Sequence, residues 1–141
     1  MVRIENLSFG YASGELFRNL DLTLEPGMIY GLLGKNGAGK TSLLKLISGQ
    51  LFPAAGSVGV LDYEARQREP GFLREIYFLP EEFSLPPLSG RRYARLNAPF
   101  YPRSDFGRLD ELCEGFEIDP AKPLPQVSLG QKKKFLLAFG L

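Results

Sequence analysis

The stretch GKNGAGKT, residues 34–41, decides how the rest of the chain is read. Its spacing is a glycine, four residues, then Gly-Lys-Thr, and phosphate chemistry accounts for each fixed position. Gly34, Gly37 and Gly39 permit backbone conformations closed to residues with a Cβ, so successive N–H groups can converge on phosphate oxygens. A helix starting at Lys40 adds a dipole that favours an anion at its N-terminus. Lys40 can then reach the β and γ phosphates of a nucleoside triphosphate, and the Thr41 hydroxyl can ligate Mg²⁺. The bland alternative is a glycine-rich turn that happens to carry a lysine.

The flanks favour the phosphate reading. Directly before the loop, MIYGLL (28–33) is an apolar run without alternation, as expected of a strand buried on both faces of a parallel sheet. Directly after it, Leu43, Leu44, Leu46 and Ile47 recur at helical intervals, and Gly49 stands where a helix end takes the left-handed conformation. Upstream, Leu20, Leu22 and Leu24 alternate with Asp21, Thr23 and Glu25, which predicts half-buried antiparallel strands over 1–26 closed by Glu25-Pro26-Gly27. Two further strands are predicted at 57–61 and 73–79. The second half reads as helical, with Phe106, Leu109, Leu112, Cys113 and Phe116 on one face and Pro120, Pro123 and Pro125 separating it from a closing segment. One α/β domain results: antiparallel strands in 1–26, a phosphate-loop core with a partial parallel sheet in 27–82, and a helical region in 83–141.

Bulk properties exclude more than they assign. A net charge of +1 gives no electrostatic case for nucleic acid. One cysteine and no histidine exclude a disulfide framework and a Cys/His zinc site, and point to a reducing compartment. The start, MVRIENLSFG, is not expected to act as a secretory signal, and no run approaches the ~20 apolar residues of a membrane span. Any membrane contact is expected through another polypeptide.

Four positions, taken in order, resemble the nucleotide-binding domain of ABC (ATP-binding cassette) ATPases along essentially the whole chain. Tyr11 lies where that family places an aromatic ring that stacks on adenine, although an exposed turn tyrosine is common. Asn36-Gly37-Ala38-Gly39-Lys40-Thr41-Ser42 matches the family's form of the loop, with Asn36 and Ser42 setting it apart from a generic one. EIYFLPEE (75–82) resembles the strand into the Q-loop, with Glu81 where glutamine is usual. A carboxylate there can ligate Mg²⁺ but cannot donate as an amide can, and a solvated acidic pair is the plainer reading. Val127-Ser128-Leu129-Gly130-Gln131 resembles the signature LSGGQ, with Leu129 replacing its first glycine; Ser128 with Gln131 is also a helix capping box that needs no ligand.

The resemblance implies an ATP-binding subunit of a transporter, with ATP and Mg²⁺ as cofactors. It implies two partners: a second such domain, paired head to tail so that Ser128, Gly130 and Gln131 close over the other's γ-phosphate, and a transmembrane permease at the cytoplasmic membrane face. Arg91, Arg92 and Arg95 belong to the region that docks on the membrane partner in the family, against the default of a solvated helix face. In the family hydrolysis uses an apolar strand ending in Asp-Glu and a histidine, both after the signature helix, and the 141 residues contain neither. The expectation is a C-terminally truncated domain covering roughly the first two thirds of the family's, with very weak or no hydrolysis left to Lys40, Thr41 and Glu81, and an uncovered edge at 28–33. A non-hydrolytic regulatory module and a soluble non-transport ABC ATPase remain the alternatives.

Overall fold

Residues 2–11 and 14–24 form a hairpin because both runs alternate and only Ala12 and Ser13 separate them, with Tyr11 paired to Gly14 across the turn. The computed structural model describes residues 1–141, in two compact units, Met1–Ile76 and Tyr77–Leu141.

In the first unit strands β1 (Val2–Tyr11), β2 (Gly14–Leu24), β3 (Ala55–Val60) and β4 (Tyr63–Glu64) lie in the order β2-β1-β3-β4, every neighbouring pair antiparallel. The register of β1 shifts between Ile4 and Leu7, where Asn6 takes φ 50° and donates its N–H to Asp21 Oδ1 at 2.7 Å. That irregularity puts Ile4 and Leu7, three apart, on one buried face. Helix α1 (Lys40–Ile47) lays Leu43 and Leu46 on this face, in one core with Phe9, Val58, Val60, Ala65 and Phe72. Its end is the expected one. Gly49 has φ 66°, its N–H bonds Leu46 O at 3.1 Å and the Gln50 N–H bonds Lys45 O at 2.8 Å, and a Cβ at Gly49 would lie 2.5 Å from Ala65 O.

The parallel-type strand expected at 28–33 and the strand expected at 73–79 are corrected by the structure. Residues 28–33 form no ladder; Ile29 is 100% exposed and Leu33 93%. The composition is that of a buried strand, but a strand exists only where a neighbour satisfies its N–H and C=O groups, and no strand of this chain pairs with it. Apolar side chains therefore stand uncovered along this segment, as an open edge implies. Leu73 lies in a short helix α2 (Pro70–Glu75), started by Pro70 at its first position, and 76–80 run on without ladder bonds.

The second unit packs α3 (Gly90–Asn97), α4 (Phe106–Gly115) and α5 (Leu129–Gly140) around Ala94, Leu109, Cys113, Ile118, Leu124, Phe135, Leu136 and Ala138. Ser89 caps α3 by accepting from Arg92 N–H, and Asp105 caps α4 by accepting from Gly107 and Arg108 N–H. Of the face expected on α4, Leu109 and Cys113 are buried, Leu112 and Phe116 half-buried, and Phe106 exposed at the first turn. No helix is long and apolar enough to cross a membrane.

Tyr77, Tyr93 and Tyr101 surround Phe139 edge-on, with ring centroids 5.7–5.8 Å away. Burial pushes all three phenols above the ordinary tyrosine range, with smaller additions from Tyr93 and Tyr101 at Tyr77 and from Tyr101 at Tyr93. A raised folded-state pKa means that the unfolded chain releases these protons first. The stability they support is therefore complete below about pH 10 and lost as pH rises above it. An alkaline titration followed by tyrosinate absorbance and helical circular dichroism should show late, cooperative ionisation coinciding with unfolding; three phenols titrating normally in a folded chain would contradict the packing.

Candidate functional site

The loop 34–41 is shaped by its own backbone. A turn closes where Ala38 N–H meets Lys35 O at 3.2 Å, and Gly37 and Gly39 follow at φ 83° and 91°. Gly39 is the residue from which α1 starts, and the first helical bond runs from Leu43 N–H to Gly39 O at 2.8 Å. The N–H groups of Lys40, Thr41 and Ser42 consequently have no carbonyl within the helix, and Gly39 offers no side chain to cap them. The Lys40 ammonium folds back over the loop, donating to Gly34 O and Lys35 O, both at 2.8 Å. A cation, three unspent N–H groups and the positive end of a helix dipole thus gather on one short segment, which suits a polyanion.

Two elements hold this segment in place. Leu43 and Leu46 anchor α1 in the core, while Gly39 sits tightly against β2, where a Cβ would fall 2.7 Å from Phe17 Cζ and 2.9 Å from Leu16 Cδ2. Neither Leu16 nor Phe17 is recognisable from sequence as a support for the loop, since their only signal is two adjacent apolar residues in an otherwise alternating strand. Tyr11, at the end of β1, reaches the first turn of α1. Its hydroxyl lies 2.9 Å from Ser42 Oγ, 31 residues away in sequence, and its ring meets Phe9 edge-on at 5.1 Å. The ring is 50% exposed, whereas Ser42 is 8% exposed.

The other expected site residues belong to the second unit. Glu81 is an exposed carboxylate on the irregular segment before α3. Ser128 precedes α5 and both halves of the capping box are made: Gln131 N–H donates to Ser128 Oγ at 3.2 Å, and Ser128 N–H donates to Gln131 Oε1 at 3.1 Å. The Gln131 side chain is therefore committed to the cap, while Leu129 and Gly130 lie exposed at the helix start. Lys134 donates to Phe116 O at 3.3 Å, and Arg91 pairs with Asp110 at 3.0 Å between α3 and α4, an exposed pair of small energetic weight. The oxygen donors named for a metal, the exposed Thr41 hydroxyl and the Glu81 carboxylate, suit a hard divalent cation.

The model of the family described as ABC transporter matches residues 17–141. The chain belongs to the ABC transporter family. This ABC chain is 28% identical over 97% of its length to the ABC transporter ATP-binding protein YtrB of Bacillus subtilis, covering 47% of that protein. It is 31% identical over its whole length to the zinc import ATP-binding protein ZnuC of Pseudomonas fluorescens, covering 51% of it. A solved ATP-binding subunit of an ABC transporter superposes on 99% of the chain with a TM-score of 0.88 at 25% identity, the match taking in 60% of that subunit. The ABC ATPase fold expected from sequence is thus shown, and the chain spans about half the length of the curated relatives it matches.

Because Gly39 combines a positive φ with the close approach of Leu16 and Phe17, Gly39→Ala is expected to cost about 1–3 kcal/mol of stability. A lower urea midpoint at unchanged slope would record it; an unmoved midpoint would mean that Leu16 and Phe17 yield to the added methyl group.

Proposed function

We propose that this chain is the nucleotide-binding part of the ATP-binding subunit of an ABC transporter. The observation that carries the reading is the loop 34–41 set on the N-terminus of α1, with the Lys40 ammonium folded over it and Tyr11 beside Ser42. The N–H groups along Gly37, Gly39, Lys40, Thr41 and Ser42 bind the phosphates, with Gly34, Asn36 and Ala38 shaping the turn, and Lys40 exchanges its bonds to Gly34 O and Lys35 O for phosphate oxygens. Tyr11, half-exposed, offers a ring face to the base. Thr41 on the first unit and Glu81 on the second are the oxygen donors proposed for Mg²⁺, which would supply charge neutralisation on the triphosphate.

Ser128, Gly130 and Gln131 act in trans. The capping box fixes the start of α5, and the exposed backbone at Leu129 and Gly130 meets the γ-phosphate held by a second ABC ATPase domain paired head to tail. The other partner is a transmembrane permease subunit, which places the chain in the cytoplasm, peripheral to the membrane; no nucleic acid is involved. The family membership and the ATP-binding relatives support this assignment.

Two measurements test it. Calorimetric titration should give Mg-ATP binding to the wild-type chain and none to Lys40→Ala with an unchanged circular dichroism spectrum; equal affinity in the two would sink the proposal. The second concerns turnover. With transition-state stabilisation left to Lys40, Thr41 and Glu81, the 141-residue polypeptide should bind ATP without sustained phosphate release. Multiple-turnover hydrolysis by the purified polypeptide would refute that expectation.

A further inference from the structure

Ser42 stands in the first turn of α1, where the carbonyl four residues back, that of Ala38, lies before the helix, and its Oγ is bonded instead to the Tyr11 phenol at 2.9 Å, across 31 residues. Ser42 is 8% exposed and occupies the third position of α1, among the N–H groups that have no acceptor within the helix. The phenol is held from the other side by the edge-on contact of its ring with Phe9, which is itself in the core with Leu43 and Leu46. Tyr11 is thus tied at both ends to the structure that carries α1.

Resting on the nucleotide reading, we infer that Tyr11 is a positioning residue for the phosphate end of the ligand, acting through Ser42, in addition to any contact its ring makes with a base. A hydroxyl has one proton and two lone pairs, and a phenol is a better donor than an aliphatic alcohol. With the Tyr11 phenol donating to Ser42 Oγ, the Ser42 proton is left for an incoming phosphate oxygen. The resulting chain, phenol to serine to phosphate, is cooperative, because each bond polarises the next. Partial burial of Ser42 strengthens the effect by keeping water from competing for the hydroxyl. Without the phenol, the same serine proton is free to turn to a backbone carbonyl, and the phosphates lose a donor already in place.

A probe lacking a base separates this role from stacking. Titrating the full chain with Mg-ATP and, separately, with magnesium tripolyphosphate should show Tyr11→Phe weakening both by a similar factor of about 2–10, the range expected for one hydrogen bond. Ser42→Ala should weaken both likewise, and adding Tyr11→Phe to Ser42→Ala should cost nothing more, since the two hydroxyls act as one unit. Tyr11→Phe keeps the ring and its contact with Phe9, so the fold is expected to persist, with thermal unfolding as the check. If Tyr11→Phe leaves tripolyphosphate affinity unchanged while wild-type chain binds both ligands, the inference is overturned and the nucleotide reading stands. A wild-type chain that binds neither ligand overturns both.

Discussion

The packing of Gly39 against Leu16 and Phe17 is the constraint on which the phosphate loop depends. A side chain there would meet the Phe17 ring at 2.7 Å, so the backbone itself lies against β2 and α1 starts at that point. From this start the helix direction carries Leu43 and Leu46 into the core with Ile4, Leu7 and Phe9. The same start leaves the first N–H groups of α1 unspent and brings Ser42 alongside Tyr11. One close approach of backbone to side chains thus sets the helix position, the donor array and the aromatic contact together.

The sheet makes that approach possible through an irregularity rather than through ideal pleating. A regular strand would put Ile4 and Leu7 on opposite faces. The left-handed Asn6, held by Asp21, returns Leu7 to the buried side, and the face that receives α1 is continuous as a result. In the second unit, capping rather than sheet geometry orders the functional candidates. The Gln131 amide and the Ser128 hydroxyl are spent on each other's backbone N–H groups, so what α5 presents at its start is mainly the backbone of Leu129 and Gly130. The capping and signature readings of these residues are compatible, since the cap builds the helix terminus that an anion would meet.

Features specified within a few residues were legible in the sequence. The loop 34–41, the helix that follows it, the left-handed Gly49 at the helix end and the Ser128–Gln131 box all rest on bonds spanning at most six residues, and each local geometry is found as read. Residues 28–33 form no strand for the opposite reason. Their composition is that of a buried strand, but the ladder that makes a strand must come from elsewhere in a chain, and no strand among these residues provides it. Residues 73–79 erred differently, since Pro70 starts a helix that captures Leu73.

By itself the sequence determined the chemistry available: glycines that free a loop backbone, a lysine and hydroxyls beside a helix start, a tyrosine ahead of them, and the order of motifs that marks an ABC ATPase chain. Only the tertiary structure decided which of these groups meet. The Tyr11–Ser42 bond spans 31 residues, and the seat of Gly39 on Leu16 and Phe17 depends on the register of a hairpin shifted by bulges. Local patterns record what a residue can do, whereas its neighbours across the fold are set by how whole elements pack, and a pattern of apolar and polar residues specifies the buried face without specifying the partner on it.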